Sequence, residues 1–483
     1  MKNLDVLAFD LGASNGRAII GSFDGEKITT KEVHRFPNNY IMINDRPYWD
    51  FDNLLENLKQ GFKKSNNTPV SFGIDSWAVD YGLLDKNGEL LSNPRSYRGS
   101  TDAVAHALWK KINKRELFNR TGIAYLNFNT IYQLYERVQE KNTELSDAET
   151  LLMLPDLLAY FLTGDKLSEY TNVTSTNLFN VETQNWDFEV INKLNIPQKL
   201  FTEIDYPGQI RNKIKPGLAQ ELGIDSIPLI AVGTHDTASA VAAIPIQEDF
   251  AFCSSGTWSL CGTETESAVI SDLVYKMNFS NEGTVQGGCR PLRNIMGMWI
   301  MQECRRQWGE HHSWNEIEAE AKKAKPFRSL INPNDNLFFS GGQMIEKIQK
   351  YCKDTNQPIP QSIGEITRTV FESLALKYTI VLESLSEIKG KQVQGLNITG
   401  GGIRNRFLNQ LISDSLDMPV VTGPIEGAAL GNIIVQLIGL GEIKDLSEGR
   451  SIINNSVDLE TYEPNHNSKW KEAYSEMIEL IDD

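Results

Sequence analysis

Short apolar runs alternate with polar turns at the start of the chain. Residues 6–9 are apolar, the turn-rich stretch 10–17 follows, and residues 18–23 are again apolar or small. An Asp-Gly pair at 24–25 is a hairpin signal, and residues 28–36 continue as a further strand. The pattern predicts strand, turn, strand, turn, strand. A strand follows the first turn where a P-loop or dinucleotide-binding fold would have a helix, and neither of their glycine motifs occurs, so both folds are disfavoured.

Helix and strand patterns alternate through the region that follows. They predict a helix at 52–64, a buried strand at 70–75, a largely helical region at 101–165, a strand at 227–232 and a small-residue helix at 238–243. The helical region ends in the apolar segment 151–162. This alternation is typical of an α/β fold.

The opening pattern starts again near residue 246. Residues 251–262 have the pattern of a strand, a small-residue turn and a strand, and they echo residues 8–12 and the stretch after them. We therefore predict two domains built on the same plan, residues 1–245 and residues 246–483.

The later helices have clear start and stop signals. A capping box, Ser362 with Glu365, begins a long helix that Gly390 ends. A short strand at 396–399 leads into the glycine turn 400–402 and a helix at 405–416.

Length and charge narrow the class of protein. A chain of 483 residues is too long for one compact core, which agrees with two domains. Its 47 basic and 63 acidic residues give a formal net charge of −16, and an acidic surface repels nucleic acid and anionic membranes. Apolar runs of about 18 residues, which a membrane span needs, are absent, as is a signal-peptide pattern. Five cysteines without a C-x-x-C pair indicate reduced thiols. We expect a cytoplasmic protein that binds neither nucleic acid nor membrane.

The first candidate for phosphate chemistry is the turn 10–17. Its small residues let the backbone approach a phosphate closely, and Ser14 and Asn15 add hydrogen-bond donors. Arg17 can neutralise negative charge, while Asp10, at the end of a strand, suits the hydration shell of Mg²⁺. The alternative is a plain hairpin with an Asx turn, and the residues alone leave both interpretations open.

The second candidate is the junction 233–237, where a strand passes into a helix. The helix dipole favours an ionised Asp236, and an ionised carboxylate beside a bound alcohol can act as a general base. The alternative is an aspartate that only caps the helix. Asp75, which also ends a strand, is a rival base with the same ambiguity.

Two more turns complete the set. Residues 254–257 suit a second phosphate hairpin, and the glycine turn 400–402 leaves room for a flat ring. A lone glycine triplet mostly marks a turn. Four small-residue turns at strand ends, spread over two similar halves, together favour phosphoryl transfer from a nucleotide.

These motifs resemble the FGGY family of carbohydrate kinases along nearly the whole chain. The matching stretches are DLGASNGR (10–17), GIDSWAVDYGLLD (73–85), FNTIYQL (128–134), MLPDLLAYFLTG (153–164), EYTNVTST (169–176), HDTASAV (235–241), SSGTWSL (254–260), NIMGMWIMQ (294–302), INPND (331–335) and GGG with the helix after it (400–412). The phosphate turns are common to the wider family. HDTASAV, NIMGMW and FNTIYQL are more specific to the branch that phosphorylates L-rhamnulose.

The resemblance implies an α/β fold of two ribonuclease H-like (actin-like ATPase) domains with an active-site cleft between them. It also implies an ATP-dependent kinase that uses Mg²⁺ and phosphorylates the 1-hydroxyl of a ketose, L-rhamnulose. Asp236 matches the proton acceptor, which selects it over Asp75. The ATP-contacting positions match Ala13, Ser14, Asn15, Gly16, Arg17, Thr257, Gln302 and Gly401. The sugar-contacting positions match Ala78, His235, Asp236, Thr237 and Asn294, and Asp10 is expected to hold Mg²⁺ through water.

Two departures from the family pattern concern the sugar. Ala78 stands where the family usually has the glycine of W-G-V-D, and its methyl group narrows the pocket. The usual Y-R-D-S-R is Y-R-G-S-T at 97–101, which loses one acid and one base. Two alternatives therefore accompany the main hypothesis: a kinase for another ketose such as L-fuculose, and a non-catalytic actin-like ATPase module. Retention of Asp10 and Asp236 argues against the second.

Overall fold

The structure is a computed structural model that describes residues 3–65, 69–245, 249–309 and 311–482. Contacts within this part of the chain form two compact units. The first unit contains the residues up to Ala243 with Glu264–Pro291 and Gly427–Ser456, and the second contains Ile244–Thr263, Leu292–Glu426 and the residues from Val457 onward. The predicted boundary between residues 245 and 246 adjoins residues 246–248, which lie outside the described residues. The division of the sequence at that point stays a prediction. The contacts show in addition that two later segments, Glu264–Pro291 and Gly427–Ser456, belong to the first unit.

The strands, numbered along the chain, are β1 (Leu4–Leu11), β2 (Asn15–Phe23), β3 (Ile28–Pro37), β4 (Tyr40–Ile43), β5 (Arg46–Trp49), β6 (Phe72–Ser76), β7 (Tyr81–Leu84), β8 (Thr150–Met153), β9 (Ser168–Glu169), β10 (Phe179–Asn180), β11 (Asn185–Trp186), β12 (Ile204–Asp205), β13 (Ile210–Lys213), β14 (Pro228–Ile230), β15 (Phe250–Ser255), β16 (Ser259–Gly262), β17 (Ser280–Gly283), β18 (Cys289–Ile295), β19 (Gly395–Thr399), β20 (Val420–Thr422) and β21 (Glu460–Tyr462).

The helices are α1 (Phe51–Lys64), α2 (Asp102–Leu108), α3 (Lys114–Thr121), α4 (Thr130–Gln139), α5 (Thr143–Asp147), α6 (Leu154–Thr163), α7 (Tyr170–Thr174), α8 (Phe188–Lys193), α9 (Pro216–Leu222), α10 (Asp236–Ala242), α11 (Asp272–Lys276), α12 (Trp299–Trp308), α13 (Trp314–Lys323), α14 (Met344–Asp354), α15 (Ile363–Lys389), α16 (Arg406–Leu416), α17 (Gly427–Gly439), α18 (Leu446–Ser456) and α19 (Lys469–Asp482).

The first unit is built on a six-stranded sheet with the order β13-β14-β6-β1-β2-β3. Strand β1 runs antiparallel to β2 and parallel to β6, and β14 also runs parallel to β6. The three opening strands that the alternating pattern predicts are therefore confirmed. Because β1, β6 and β14 are parallel, they end at the same edge of the sheet, and the polar residues that follow them meet there.

Aromatic packing fixes helix α1 against this sheet. The ring of Phe62 lies 5.0 Å from that of Phe9 in β1 and 5.1 Å from that of Phe72 in β6, measured between centroids. The Asp50 side chain accepts a hydrogen bond from the Asn53 N–H and so caps the helix. Buried edge-on aromatic pairs of this kind hold β1 and β6 in a defined position under the site.

Helix α17 comes from late in the chain but packs on β1, β6 and α10. At the crossing with α10, a Cβ on Gly431 would overlap the carbonyl oxygen of Ser239, so only glycine permits this approach. The Gln436 amide donates to the Leu7 carbonyl at 3.1 Å, and the Ser71 hydroxyl donates to Gln436 at 2.7 Å. These buried polar partners explain why this segment belongs to the first unit.

The sheet of the second unit repeats the arrangement of the first. Strand β15 pairs antiparallel with β16 and parallel with β19, and β19 pairs parallel with β20. This is the relation that β1 has to β2 and β6, so the predicted echo of the opening pattern is confirmed. Helix α15 begins with the predicted capping box of Ser362 and Glu365 and ends at Gly390, which has the left-handed φ of 63°.

Several predicted element boundaries differ from those in the structure. The sequence predicts helix throughout 151–162, but Thr150–Met153 forms strand β8 antiparallel to β7, and α6 begins only at Leu154. An apolar run has no period that separates a buried strand from a helix, and Pro155 in the first turn sets the helix start. Helix α10 begins at Asp236, two residues earlier than predicted.

In the described chain, no helix is both long enough and apolar enough to cross a bilayer. The five cysteines are buried and free. Burial raises the pKa of the Cys304 thiol to about 12 and that of Cys352 to about 11, so both are protonated near neutral pH. This state agrees with the reduced, buried thiols that the sequence predicts.

Candidate active site

The turn between β1 and β2 has a solvent-exposed tip, and hydrogen bonds fix its backbone. Ser14 and Asn15 are exposed at the tip, and Ala13 is half-buried beside them. The Gly12 N–H donates to the Asn15 carbonyl at 2.9 Å and closes the turn. Asn38, which no sequence motif marks, donates its side-chain amide to the Gly12 carbonyl at 2.9 Å and its backbone N–H to the Ser14 carbonyl at 3.0 Å. The tip therefore has a fixed shape that a phosphate could meet.

An ion pair joins the two strands below this tip. Arg17 Nη2 donates to Asp10 Oδ2 at 2.5 Å, and the two side chains are 17% and 9% exposed. The antiparallel register produces the pair, since it places Asp10 opposite Arg17 and Leu11 opposite the buried Gly16. The cation predicted to contact phosphate thus lies beside the carboxylate predicted to hold the metal.

Asp75 lies next to Asp10 across the parallel pair β1 and β6. Its side chain is fully buried, and Asn432 of α17 donates to its Oδ2 at 2.7 Å. Its Oδ1 has no hydrogen-bond partner among the described residues. Burial, followed by the negative charges of Asp10 and Asp236, raises the pKa of Asp75 well above its ordinary value. A buried carboxyl group that favours its neutral form is poorly suited to act as a base on a bound substrate.

The carboxylates at this edge fit a hydrated Mg²⁺ better than a dedicated protein cage. Among the described residues, groups of three or more metal-ligating side chains are not found. The Asp10 carboxylate nevertheless lies next to the phosphate turn, with the Asp75 carboxyl group beside it on β6. Mg²⁺ keeps several of its waters and usually binds through one or two carboxylates together with substrate phosphates. The donor set is therefore compatible with an ion that arrives with the nucleotide and contacts Asp10 through water.

The segment that carries Asp236 is anchored by a buried glutamate. Glu169 Oε2 accepts hydrogen bonds from the Thr234 N–H at 3.0 Å and from the Thr234 hydroxyl at 2.7 Å. Thr171, held by the same carboxyl group, accepts a hydrogen bond from the His235 N–H at 3.2 Å. Ser76, at the end of β6, donates its N–H to the Thr234 carbonyl at 2.8 Å. The loop after β14 is thereby fixed beside β6, and Glu169, the first residue of the stretch EYTNVTST, is a supporting residue to which the sequence analysis gave no role.

Asp236 is the accessible carboxylate of this group. It is the first residue of α10, and its side chain is 32% exposed, whereas Asp75 is fully buried. The Thr237 hydroxyl donates to its Oδ1 at 3.2 Å. Desolvation by the surrounding protein raises the pKa of Asp236, His235 partly opposes this shift, and the charge of Asp10 adds to it. Asp236 does not serve as the helix cap, because His235 occupies the N-cap position.

His235 is nearly buried and contacts two charged residues that sequence reasoning missed. These are Arg290, which is fully buried, and Glu282. Burial alone would raise the pKa of Glu282, but the His235 and Arg290 side chains beside it lower that pKa to about 2. Glu282 is therefore ionised at neutral pH, and it balances the Arg290 charge.

The loop that carries Ala78 is organised around a buried carboxylate. Asp80 Oδ2 accepts the indole N–H of Trp49 at 2.6 Å and that of Trp77 at 3.0 Å. The Gln133 side chain donates to Asp80 Oδ1 at 3.1 Å. Ala78 itself is half-buried, unlike the residues on either side of it. Ala78 is thus partly accessible on a loop that buried aromatic residues and hydrogen bonds to Asp80 hold in place.

Val79, the next residue, is held in the left-handed region with a φ of 72°. This conformation is uncommon for a β-branched residue and persists only where the surroundings impose it. The Thr130 hydroxyl and the Gln133 amide bind the Val79 carbonyl at 2.8 and 3.2 Å. Both partners belong to the stretch FNTIYQL, so that motif shapes the loop at Ala78.

Tyr97 also binds the carboxylate that organises this loop. Its backbone N–H donates to Asp80 Oδ2 at 3.3 Å. Burial raises the pKa of the Tyr97 phenol, Arg98 partly opposes this shift, and the charges of Asp80 and Asp236 add to it. Nearby, a Cβ on Gly99 would lie 3.1 Å from Cδ of Pro47, so the local packing favours glycine where the family usually has aspartate.

The predicted ATP-side residues Thr257, Gln302 and Gly401 belong to the second unit. The Thr257 hydroxyl donates to Gln302 Oε1 at 3.4 Å. The Gly256 N–H donates to the Trp258 carbonyl at 2.8 Å, which tightens the hairpin between β15 and β16. Gly401 begins a 3₁₀ turn, and a Cβ there would meet no atom within 4 Å. The turn therefore presents open backbone surface.

Asn294, predicted for the sugar, also belongs to the second unit. It lies on β18 opposite Leu260 of β16 and is half-buried. Its carbonyl accepts the side-chain amide of Asn334 at 3.0 Å. Asn334 comes from the stretch INPND, so this second motif supports the strand that carries Asn294.

Comparison with known families assigns the class of protein. Residues 6–243 match the N-terminal domain of the FGGY family of carbohydrate kinases, and residues 251–440 match its C-terminal domain. The chain therefore belongs to the FGGY family of carbohydrate kinases. The predicted family and enzyme class are confirmed.

Individual relatives within this family match nearly the whole chain. Rhamnulokinase of Bacteroides thetaiotaomicron is 40% identical over 472 residues, which cover 97% of each chain. Rhamnulokinase of Bacillus subtilis is 38% identical over 462 residues, which cover 95% of each chain.

Solved structures of sugar kinases share the fold. Xylulose kinase from Lactobacillus acidophilus superposes with a TM-score of 0.81 at 17% identity, covering 99% of this chain and 98% of its own. Plasmodium falciparum glycerol kinase with ADP gives 0.78 at 15% identity, covering 100% and 98%. At these identities the likeness establishes the two-domain FGGY fold alone, and it confirms the predicted fold class.

Proposed function

We propose that this protein transfers the γ-phosphoryl group of ATP to the 1-hydroxyl of L-rhamnulose. The observation that carries the substrate assignment is the match to rhamnulokinases at 36–40% identity over nearly the whole chain. The first unit supports the reaction class, because it presents an accessible carboxylate, Asp236, at the sheet edge that also carries the phosphate turn and Asp10.

Asp236 is the proton acceptor in this proposal. Its carboxylate takes the proton of the sugar 1-hydroxyl while that oxygen forms a bond to the γ-phosphorus. The bond from the γ-phosphorus to the bridging oxygen of ADP breaks, and the electron pair remains with ADP. The exposure of Asp236 and its raised pKa suit a group that accepts a proton and later releases it.

The ATP assignment follows the positions that match the ATP contacts of the family. We assign the phosphates to the turn Ala13, Ser14, Asn15, Gly16 and Arg17, and to Thr257, Gln302 and Gly401. Bound Mg²⁺ would neutralise phosphate charge, with Asp10 holding it through water. The Arg17 guanidinium, which pairs with Asp10, would then also attract the phosphate groups of the nucleotide.

The sugar side consists of Ala78, His235, Asp236, Thr237 and Asn294. Hydroxyl groups of a ketose need donors and acceptors at fixed positions, which His235, Thr237 and Asn294 supply. Ala78, on its strained and braced loop, limits the space on one side of the sugar. The partners are then the small molecules ATP and ketose, and a cytoplasmic location is consistent with this chemistry.

A coupled assay of ADP release tests the proposal. The purified protein is assayed with Mg-ATP and L-rhamnulose, L-fuculose, D-xylulose, glycerol or no sugar. We expect L-rhamnulose to give the highest kcat/KM and almost no ADP release without sugar. A tenfold preference for another ketose would overturn the sugar assignment, and sugar-independent ATP hydrolysis alone would overturn the kinase function.

A further inference from the structure

A buried charge pair lies behind the substrate-side histidine. Arg290 Nη2 lies 2.8 Å from His235 Nδ1 and 2.9 Å from Glu282 Oε2. The Arg290 side chain is 0% exposed, and those of Glu282 and His235 are 10% and 9% exposed. All three residues belong to the first unit. On the other side of the imidazole ring, His235 Nε2 lies 3.6 Å from Asp236 Oδ1.

These contacts determine which ring nitrogen carries the proton. A guanidinium group only donates hydrogen bonds, so a bond from Arg290 to Nδ1 requires a lone pair on that nitrogen. The two hydrogens of Nη2 serve two acceptors, Nδ1 and Glu282 Oε2. Glu282 lies 3.3 Å from Nδ1, a longer contact, and it would instead favour a proton there. The shorter Arg290 contact favours a lone pair on Nδ1 and the ring proton on Nε2.

The hydrogen-bonding pattern of the Arg290 guanidinium differs from that of a structural arginine in the same unit. Its Nε and Nη1 are buried without a hydrogen-bond partner among the described residues, and Nη2 alone makes both contacts. Arg211, a buried arginine of the same unit, instead spreads three nitrogens over Asp156 and Asp205. A guanidinium that only neutralises a carboxylate usually binds it through two nitrogens.

We propose that Arg290 is a positioning residue that fixes His235 with its proton on Nε2. The Nε2–H then donates a hydrogen bond to the sugar hydroxyl whose proton Asp236 accepts. The 3.6 Å between Nε2 and Asp236 Oδ1 is too long for a direct hydrogen bond but leaves room for one shared hydroxyl oxygen. Glu282 keeps the buried Arg290 charge balanced. The role at the sugar depends on the proposed kinase function, whereas the tautomer does not.

The central test is the protonation site of His235 read by nitrogen NMR. The full-length protein is labelled with ¹⁵N-histidine, and the His235 signals are assigned by their loss in His235→Gln. We expect a protonated Nε2 and an unprotonated Nδ1 in the wild type. In Arg290→Met the Glu282 carboxylate is left beside Nδ1 and should draw a proton there. A wild-type ring with a proton on Nδ1 would overturn the proposal, whichever sugar the enzyme prefers.

Kinetics test the consequence for the substrate. With the ketose that the wild type uses best, Arg290→Met should lower kcat/KM for sugar by about 10- to 100-fold, by analogy with the loss of a partner that orients a metal-binding histidine. The KM for ATP should stay within about threefold, since Arg290 is assigned to the histidine and not to the nucleotide. Unchanged sugar kinetics, or a loss of activity without a change of tautomer, would contradict the positioning role.

A second variant separates positioning from folding. Arg290→Met with Glu282→Met removes the unpaired charge and the competing acceptor together. The proton should return to Nε2, and much of the kcat/KM for sugar should be recovered. Recovery of thermal stability without recovery of the tautomer and of kcat/KM would contradict the proposal.

Arg137→Met is the matched control. Arg137 is 2% exposed and pairs with Glu144 at 2.6 Å, and its Nε also has no hydrogen-bond partner within the described part of the chain. None of the contacts described for Arg137 involves His235 or Asp236. We expect this variant to lose stability while the His235 signals and the sugar kinetics stay as in the wild type. A loss of sugar kcat/KM equal to that of Arg290→Met would mean that any buried arginine has this effect, and it would overturn the specific role.

Discussion

Asparagine at position 236 should remove turnover while preserving the fold. The amide has the shape of the carboxylate and keeps an oxygen for the 3.2 Å hydrogen bond from the Thr237 hydroxyl. Because the Asp236 side chain is 32% exposed, the new amide group is not left unpaired in the core. The free energy of unfolding should therefore change by no more than about 0.5 kcal/mol, as for ordinary accessible positions.

The effect on rate follows from the role of the group. A general base contributes about 10²- to 10⁴-fold in rate. At about 1.36 kcal/mol for each factor of ten, its loss raises the activation free energy by about 2.7–5.4 kcal/mol. Asp75 cannot replace it, because that carboxyl group is fully buried and its raised pKa favours the neutral form. Since the proton transfer belongs to the transition state, KM for both substrates should stay within a few-fold.

Steady-state ADP release at saturating Mg-ATP and L-rhamnulose measures kcat, and calorimetry measures the affinity for each ligand. Asp52→Asn is the matched control, because Asp52 is an exposed aspartate in the first turn of α1. It should leave kcat unchanged. If Asp236→Asn retained a kcat within about threefold of the wild type, the assignment of the base would be wrong and Asp75 would become the candidate.

Four further predictions concern the same molecule. Asp10→Ala should raise the Mg²⁺ concentration needed for half-maximal rate and lower kcat, and an unchanged Mg²⁺ titration with ordinary turnover would refute the metal role. A base must be ionised and the pKa of Asp236 is raised above the ordinary aspartate value of 3.8, so kcat/KM should fall as the pH is lowered, with a midpoint above pH 3.8. A midpoint at or below pH 3.8 would contradict this prediction. Ala78→Gly should improve kcat/KM for L-rhamnulose while KM for ATP stays fixed, if the methyl group narrows the pocket; an unchanged ranking of sugars would make Ala78 a neutral replacement. Gly431→Ala should lower the free energy of unfolding by about 2 kcal/mol or more in denaturant titration, because its Cβ would overlap the Ser239 carbonyl; a loss below about 0.5 kcal/mol would show that α17 and α10 can separate without cost.

Local patterns in the sequence determined the elements around each candidate turn. Short apolar runs predicted β1 and β2 on either side of the 10–17 turn, and the capping box predicted the start of α15. These features depend on residues a few positions apart, so they can be predicted from the sequence without knowledge of the tertiary structure. Motif resemblance supplied the family, and it chose Asp236 over Asp75. The same local reasoning failed for 150–153, since a fully apolar segment has no period to distinguish strand from helix.

Tertiary structure decided which distant residues meet at the site. The parallel pairing of β1 with β6 placed Asp10 beside Asp75, and the packing of α17 brought Asn432 to the same carboxyl group. Burial then distinguished the two candidate bases, because the Asp75 side chain is fully buried and the Asp236 side chain is accessible. Arg290 and His235 are 55 residues apart in sequence. Contacts over such distances leave no periodic or motif signal in a single sequence, since they arise only when separate elements pack against one another.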